Sequence, residues 1–208
     1  TPEKADLLVL AAHPDDELIF FGGTIPTYAA ERKMNVVVAY MTYANVARKS
    51  ELLNGLWHMG LRTYPVIGNF GDSYTRKMNE MYDVWKKEKV RKYVMGLVRR
   101  YKPEVMVTHD VGGEYGHGAH KVCADVAKYC VENSADASVL PELAKKYGKT
   151  VIAFAGSVER DARECNEHGI DAFFPVLRGI TTLEEAMKNE NAKRNLADTA
   201  EQVYRLWR

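Results

Sequence analysis

Two groups of polar residues in this sequence contain the side chains that proteins use to bind metal ions and to move protons. The first group, His13, Asp15, Asp16 and Glu17, comes directly after the apolar residues 7–10. The second group follows residues 105–108 and contains His109, Asp110, Tyr115, His117 and His120. Two imidazoles and one carboxylate, with further positions open to water or substrate, form the ligand set of a catalytic zinc site or a non-haem iron(II) site. The residue types therefore indicate a metal site suited to a hydrolase.

The two groups can act together only if the strands before them are neighbours. Residues 6–12 and 105–108 both have the pattern of short buried strands. In an open parallel sheet, ligands bind outside the carboxyl ends of the strands, so adjacent strands would bring the groups face to face. A single histidine or aspartate in a loop is more often a cap or a turn residue. The combination of the two polar groups favours a metal site. For His109 and Asp110 two alternatives remain: they support the ligands, or they are ordinary polar residues at a strand end.

Strand and helix patterns alternate along the chain, which is typical of an α/β protein. Strands are predicted at residues 6–12, 36–41, 64–67, 105–108, 150–155 and 172–176. Helices are predicted at residues 24–33, 45–59, 78–101, 121–132, 161–168 and 183–207. The expected fold is a Rossmann-like three-layer sandwich with a mainly parallel sheet of about six strands.

The composition narrows the class of partner. The 208 residues are 46% hydrophobic, and 29 Lys and Arg against 28 Asp and Glu give a net charge of +1. This balance provides no overall field that would recruit nucleic acid or an anionic membrane, so a neutral small molecule is the expected partner. No run approaches the ~20 apolar residues of a membrane span or resembles a signal peptide. We therefore expect a soluble protein that is either cytoplasmic or secreted with its signal peptide removed. The sequence does not determine its oligomeric state.

Two other motifs resemble nucleotide-binding loops only superficially. Residues 113–118 are rich in glycine, but their spacing is not Gly-x-Gly-x-x-Gly and their histidine suits a metal better than pyrophosphate. Residues 148–150 resemble the end of a P-loop, yet Leu143 occupies the upstream glycine position and the tripeptide precedes a strand. A nucleotide site ranks last among the alternatives.

The two polar motifs also resemble a known family. Ala-His-Pro-Asp-Asp-Glu at residues 12–17 and Gly-Glu-Tyr-Gly-His-Gly-Ala-His at residues 113–120 are similar to motifs of the PIG-L/LmbE-like zinc N-deacetylases. The resemblance extends over about residues 6–148 and includes residues 51–57. The second motif departs from the family's commoner His-Pro-Asp-His, because Gly118 and Ala119 lie between the two histidines.

This resemblance implies specific roles. Zinc would be held by His13, Asp16 and His120, with Asp15 as general base. His117 and Tyr115 would stabilise the tetrahedral oxyanion, and Arg48 and Asp72 resemble positions that contact the sugar. Asp15 and Asp16 are adjacent, so in an extended segment one would face the metal and the other the water. Glu17 is expected to be structural, hydrogen-bonding to backbone amides nearby.

The last part of the chain resembles a different family. Residues 151–158, 165–175, 182–186 and 195–203 are similar to the C-terminal segment of glycerate kinases, a likeness that covers about residues 143–207. We expect a single α/β domain over residues 1–208, with a deacetylase-like part at 1–148 and a glycerate-kinase-like part at 149–208. Such a chain is either a natural recombinant or an engineered chimera, and we expect an engineered chimera. Kinase activity is not implied, because that family's nucleotide and glycerate sites come from parts absent here.

The combined expectation is a zinc-dependent N-deacetylase-type site, with iron(II) as the alternative metal, that acts on an N-acetylglucosamine-like sugar. The competing hypothesis is a chimera that keeps a metal site and has no catalytic activity.

Overall fold

The computed structural model describes residues 3–148 and 153–155, and these form one five-stranded sheet. The strands are β1 (Leu7–Ala11), β2 (Val36–Thr42), β3 (Val66–Phe70), β4 (Val105–Thr108) and β5 (Ala153–Ala155). Their order is β3-β2-β1-β4-β5, and every pairing is parallel. The predicted α/β class with a parallel sheet is confirmed. The predicted sixth strand, at residues 172–176, lies outside the described residues.

Helices cover both faces of the sheet. They are α1 (Asp16–Ile19), α2 (Thr24–Pro26), α3 (Val46–His58), α4 (Met78–Trp85), α5 (Lys87–Tyr101), α6 (Gly118–Asn133) and α7 (Pro141–Tyr147), with a π-helix at Thr27–Glu31 and a 3-10 turn at Glu114–Gly116. None of the helices in the described part of the chain is both long and apolar enough to cross a lipid bilayer.

The two hydrophobic cores follow from the alternation of side chains along β1. Every β1 residue is buried. Leu8 and Leu10 pack in one core with side chains of α4, α5 and α6. Leu7 and Val9 point the other way and pack with side chains of α2 and α3. Because successive side chains of a strand face opposite sides, this continuous apolar run produces a sheet buried on both faces.

The helix predicted at residues 78–101 is two helices. Lys86 separates α4 from α5 with a left-handed φ of 65°, and its N–H donates to Tyr82 O at 2.7 Å. Both helices still bury apolar side chains in the same core, including Trp85 and Val90. The hydrophobic pattern therefore continues across the break, and periodicity alone could not reveal the left-handed residue.

The third strand begins and ends later than predicted. Gly68 and Asn69 are typical turn residues, so the sequence suggested a loop where the structure has β3 (Val66–Phe70). A Cβ atom at Gly68 would lie 2.3 Å from Met41 O, because β3 approaches β2 closely there. Glycine is needed for backbone proximity at this position and not for a turn.

The remaining differences are smaller. The helix predicted at residues 24–33 begins as α2 and continues as a π-helix, and the change occurs at Pro26, which lacks an N–H. The short helix α7 was not predicted. Of the strand predicted at residues 150–155, the structure describes β5 (Ala153–Ala155). The helices predicted at residues 161–168 and 183–207 lie outside the described residues.

Candidate metal centre and active site

The two polar groups lie together because β1 and β4 are adjacent. These strands pair in parallel with Leu10 beside Thr108, so the chain leaves both strands at the same edge of the sheet. The Thr108 hydroxyl donates to Leu10 O at 2.7 Å and ties the two strand ends together. The two strands are therefore neighbours, as the predicted site requires.

Three buried side chains from these loops converge on one point. His13, Asp16 and His120 each offer a ligand atom, and these atoms lie within 4.8 Å of one another. Asp16 Oδ2 is 3.4 Å from His13 Nδ1, and Asp16 Oδ1 is 3.5 Å from His120 Nε2. Two imidazoles and a carboxylate at this spacing fit a zinc or iron(II) ion, so the donor set passes the chemical test for a metal site.

Asp16 is held in place by donors on one of its two oxygens. It is the first residue of α1, and its Oδ2 accepts the His13 N–H at 2.7 Å and lies 3.2 Å from His109 Nε2. Burial alone would raise the pKa of Asp16, but the hydrogen bonds with His109 and His13 outweigh it and hold that pKa below its usual range. Asp16 is therefore an ionised carboxylate whose Oδ1 faces His120.

Glu114 is a site residue that the sequence reasoning missed. Its Oε2 lies 2.8 Å from Nδ1 of His120 and 2.8 Å from Nδ1 of His109. Burial opposes ionisation of Glu114, but the hydrogen bonds with the two histidines lower its pKa below the usual value. The sequence did contain a signal for this role, because Glu114 lies between His109 and His117 in the loop after β4. His109, left open by the sequence, lies against both Asp16 and Glu114.

The buried imidazoles differ in pKa and in their partners, and His109 Nε2 accepts the Ala12 N–H at 3.0 Å. Burial opposes protonation of His109, yet its contacts with Asp16 and Glu114 raise its pKa to about 9. Burial lowers the pKa of His120 below its ordinary value, in spite of the hydrogen bond to Glu114. A neutral imidazole that donates through Nδ1 presents an unprotonated Nε2, which is the form that binds a metal.

Asp15 takes a different direction from Asp16, but not for the reason predicted. The segment is not extended: Asp15 has a φ of 131° and immediately precedes α1. Its N–H donates to Glu17 Oε2 at 2.9 Å, so Glu17 does bind a backbone amide as expected. The Asp15 carboxylate lies 3.2 Å from Arg48 Nη2. Burial and the neighbouring Asp16 raise the pKa of Asp15 above its ordinary value.

His117 is the N-cap of α6, which begins three residues earlier than predicted. Its Nδ1 accepts the Ala119 N–H at 3.2 Å, which assigns the ring proton to Nε2. Burial, followed by the nearby rings of His120 and His13, lowers the pKa of His117 to about 4. A neutral His117 is therefore a hydrogen-bond donor through Nε2.

Gly118 explains part of the unusual second motif. A Cβ at this residue would lie 2.9 Å from Thr75 O and 3.0 Å from Lys77 O. The Gly118 N–H donates to Thr75 O at 2.7 Å, so the start of α6 packs directly on the backbone before α4. A larger residue at position 118 would push the start of α6 away from Thr75 and Lys77.

All eight site residues predicted from the sequence line one pocket of 360 Å³. They are His13, Asp15, Asp16, Arg48, Asp72, Tyr115, His117 and His120, and the walls are completed by Ile19, Phe20 and Tyr74. Asp72 Oδ1 lies 3.6 Å from His13 Nε2. Tyr115 is at the mouth, with 76% of its surface exposed and a left-handed φ of 57°. The structure thus brings the predicted residues together, and their individual roles stay predictions.

Comparison with known protein families gives a clear result for the part of the chain that carries this pocket. Residues 8–131 match the model of the GlcNAc-PI de-N-acetylase family, PIG-L. The chain belongs to this family. The PIG-L match contains every residue of the candidate site, and it confirms the resemblance drawn from the two motifs.

One curated relative is similar in sequence, and one solved structure is similar in fold. A 1D-myo-inositol 2-acetamido-2-deoxy-alpha-D-glucopyranoside deacetylase of Catenulispora acidiphila is 29% identical over an alignment of 164 residues that covers 65% of this chain and 51% of the relative. The chain thus spans about half the length of this curated relative. The structure of N,N'-diacetylchitobiose deacetylase from Pyrococcus horikoshii has the same fold, with a TM-score of 0.57 and 20% identity over 72% of this chain and 60% of that one.

The second resemblance is also confirmed. Residues 135–208 match the model of the glycerate kinase family. Glycerate 2-kinase of Escherichia coli is 47% identical over an alignment of 62 residues that covers 27% of this chain and 16% of that enzyme. The match begins at residue 135, before the join predicted near residue 148. It lies wholly after the PIG-L match and includes none of the candidate site.

Proposed function

We propose that this pocket is a zinc-dependent N-deacetylase-type hydrolase site that acts on an N-acetylglucosamine-like sugar amide. The observation that carries the proposal is the convergence of His13, Asp16 and His120, with their ligand atoms within 4.8 Å, in a pocket that also contains Asp15 and His117. The curated relative's name, a deacetylase of an acetamido-deoxy-glucopyranoside, supports the substrate class.

Zinc is the proposed metal, and iron(II) is its rival. A site of two imidazoles and one carboxylate is compatible with either. When bound, zinc would polarise the amide carbonyl and lower the pKa of a coordinated water to about 7. Amide hydrolysis needs this Lewis acidity and no redox change, which favours zinc.

Asp15 is the proposed general base. It lies beside the ligands, and its carboxylate has a pKa raised by burial and by Asp16, which increases its affinity for a proton. It would take a proton from the attacking water and pass it to the departing amine as the C–N bond breaks. Arg48, at 3.2 Å, holds the carboxylate in one orientation.

His117 is the proposed oxyanion donor, assisted by Tyr115. The Nδ1 of His117 is occupied by the Ala119 N–H, so its Nε2–H is available to the oxygen of the tetrahedral intermediate. Tyr115 is exposed at the pocket mouth and would contribute its hydroxyl once substrate is bound. Arg48 and Asp72 line the same pocket and are proposed to contact sugar hydroxyls.

The two parts of the chain are proposed to form one α/β domain over residues 1–208. The support is β5 (Ala153–Ala155), which belongs to the glycerate-kinase-like part and pairs in parallel with β4 of the deacetylase-like part. A strand contributed by the second part would thereby extend the sheet of the first.

A second candidate function is a chimera that binds metal and has no catalytic activity. It is favoured by the glycerate kinase match over residues 135–208, which follows the PIG-L match directly in the chain. In this case the proposed ligands, which all precede residue 135, would still bind metal without supporting catalysis.

Two measurements on purified protein separate these candidates. Metal analysis after zinc or iron(II) supplementation should give one equivalent of zinc for the wild type and much less for His13→Ala. Acetate release from N-acetylglucosamine conjugates should be steady and should be abolished by Asp15→Ala. Stoichiometric zinc without acetate release would support the inactive chimera, and absence of stoichiometric metal would overturn both candidates.

A further inference from the structure

Four side chains form a closed circuit at the candidate metal site, of which Asp16, His109 and His120 are buried and Glu114 is 12% exposed. Asp16 Oδ2 lies 3.2 Å from His109 Nε2, and His109 Nδ1 lies 2.8 Å from Glu114 Oε2. The same Glu114 oxygen lies 2.8 Å from His120 Nδ1, and His120 Nε2 returns to Asp16 Oδ1 at 3.5 Å. Two members of the circuit, Asp16 and His120, are proposed metal ligands, whereas His109 and Glu114 are not.

The contacts of Glu114 are hydrogen bonds and not a second cation site. His109, Glu114 and His120 do bring three potential ligand atoms together. However, the two 2.8 Å distances between nitrogen and oxygen are those of charge-assisted hydrogen bonds, and a cation between the atoms would separate them further. His109 is also completely buried, and the pocket lining includes neither His109 nor Glu114.

We propose that Glu114 and His109 are positioning residues of the metal site, which together hold Asp16 and His120 in their ligand geometry before the metal arrives. This inference rests on the metal site of the proposed function. Glu114 fixes His120 in the tautomer with the proton on Nδ1, so that Nε2 presents its lone pair to the pocket. His109 lies between Glu114 and Asp16. Its Nδ1 is 2.8 Å from Glu114 Oε2, and its Nε2 is 3.2 Å from Asp16 Oδ2 and accepts the Ala12 N–H at 3.0 Å, which fixes the ring between the two carboxylates.

The burial of the circuit is what gives it this effect. The side chains of His109, Asp16 and His120 are 0%, 4% and 4% exposed, so water cannot replace a lost partner without entering the core. In addition, His120 belongs to α6 and Asp16 to α1, two elements that no backbone hydrogen bond between them joins in the described structure. The polar circuit is therefore a direct link between the two ligands.

The test is the affinity for Co²⁺ and Zn²⁺, measured by competition with a chromophoric chelator, together with the absorption spectrum of the Co²⁺ form. The variants are Glu114→Gln, which keeps the shape but cannot accept two charge-assisted hydrogen bonds, and His109→Gln, which removes the link to Asp16. Each should weaken metal binding roughly 10–100-fold and alter the Co²⁺ spectrum. Glu114→Asp, which keeps the charge, should recover part of the affinity.

The matched control is Glu104→Gln. Glu104 is a surface carboxylate paired with Lys4 just before β4, at the opposite end of that strand from the site. This variant should bind metal as the wild type does.

The outcomes distinguish the inference from the proposed function. If the wild type binds no metal, the proposed function fails. If the wild type binds metal and the variants match it in affinity and spectrum, the positioning role alone is overturned, even if their metal-free forms melt at lower temperature. If Glu114→Gln does not fold by circular dichroism, His109→Gln and Glu114→Asp decide the question by the same criteria.

Discussion

The imidazole rings of His13 and His120 have centroids 5.4 Å apart, although one follows β1 and the other lies in the first turn of α6. A metal bound between them joins two parts of the fold that are distant in sequence. Since a ligand that binds only the folded state stabilises it, metal should raise the melting temperature.

Metal removal is therefore expected to destabilise the protein. At zinc concentrations of about 1,000 times Kd, the free energy of unfolding should be about 4 kcal/mol higher than in chelator. Thermal denaturation with and without zinc measures this difference. His13→Ala should melt at the same temperature in both conditions, and an equal zinc effect in wild type and variant would contradict the site.

Glu17 is expected to control the orientation of Asp15. The Asp15 N–H donates to Glu17 Oε2 at 2.9 Å, and Asp15 has the unusual φ of 131°. Glu17→Ala removes the acceptor and should lower kcat for deacetylation by roughly tenfold or more, since a hydrogen bond to a charged group is worth ~1.5–3 kcal/mol and its loss would let Asp15 leave this orientation. Glu17→Gln keeps an amide oxygen and should lose less. Zinc affinity measured in parallel should change little, and a loss of affinity equal to the loss of kcat would argue against this specific role.

Glycines 68 and 71 should respond very differently to substitution by alanine. A Cβ at Gly68 would lie 2.3 Å from Met41 O and 2.7 Å from Tyr40 O, both backbone atoms of β2. Gly68→Ala should therefore reduce the free energy of unfolding by roughly 1–3 kcal/mol, as overpacking does. At Gly71 nothing lies within 4 Å of an added Cβ, so Gly71→Ala should be nearly neutral. Urea denaturation of the two variants provides the comparison, and equal stabilities would contradict the close approach of β3 to β2.

Arg99 should be among the most important residues for stability outside the site. Its guanidinium is completely buried and donates to the backbone oxygens of Asn133, Ser134, Asp136, Val139 and Leu140, which form the turn between α6 and α7. Arg99→Met would remove all five hydrogen bonds of a buried charged donor, and since a hydrogen bond to a charged group is worth ~1.5–3 kcal/mol, it should cost more than about 3 kcal/mol of unfolding free energy. The exposed neighbour Arg100 provides the control, because Arg100→Met should change stability by less than about 0.5 kcal/mol. Similar values for both in urea denaturation would refute this role.

The sequence by itself determined the strands and the residue types of the site. The apolar residues of β1 and β4 are continuous because both faces of the sheet are buried, and the residues after them are polar because they leave the core at the same edge. This pattern was sufficient to predict that the loop with His13, Asp15 and Asp16 faces the loop with His117 and His120. The choice of His13, Asp16 and His120 as ligands and the placement of Asp72 came from the resemblance to the deacetylase family.

Only the tertiary structure decided which polar residues support the ligands. Glu114 lies between two residues with left-handed φ, Gly113 and Tyr115, and no local pattern predicts that one of its oxygens meets the rings of both His109 and His120. The left-handed residues Asp15 and Lys86 were likewise invisible, because neither is a glycine, and at Lys86 the hydrophobic periodicity continues across the break. Pairing between strands distant in sequence sets these contacts, and that pairing is a property of the whole sheet and not of any segment.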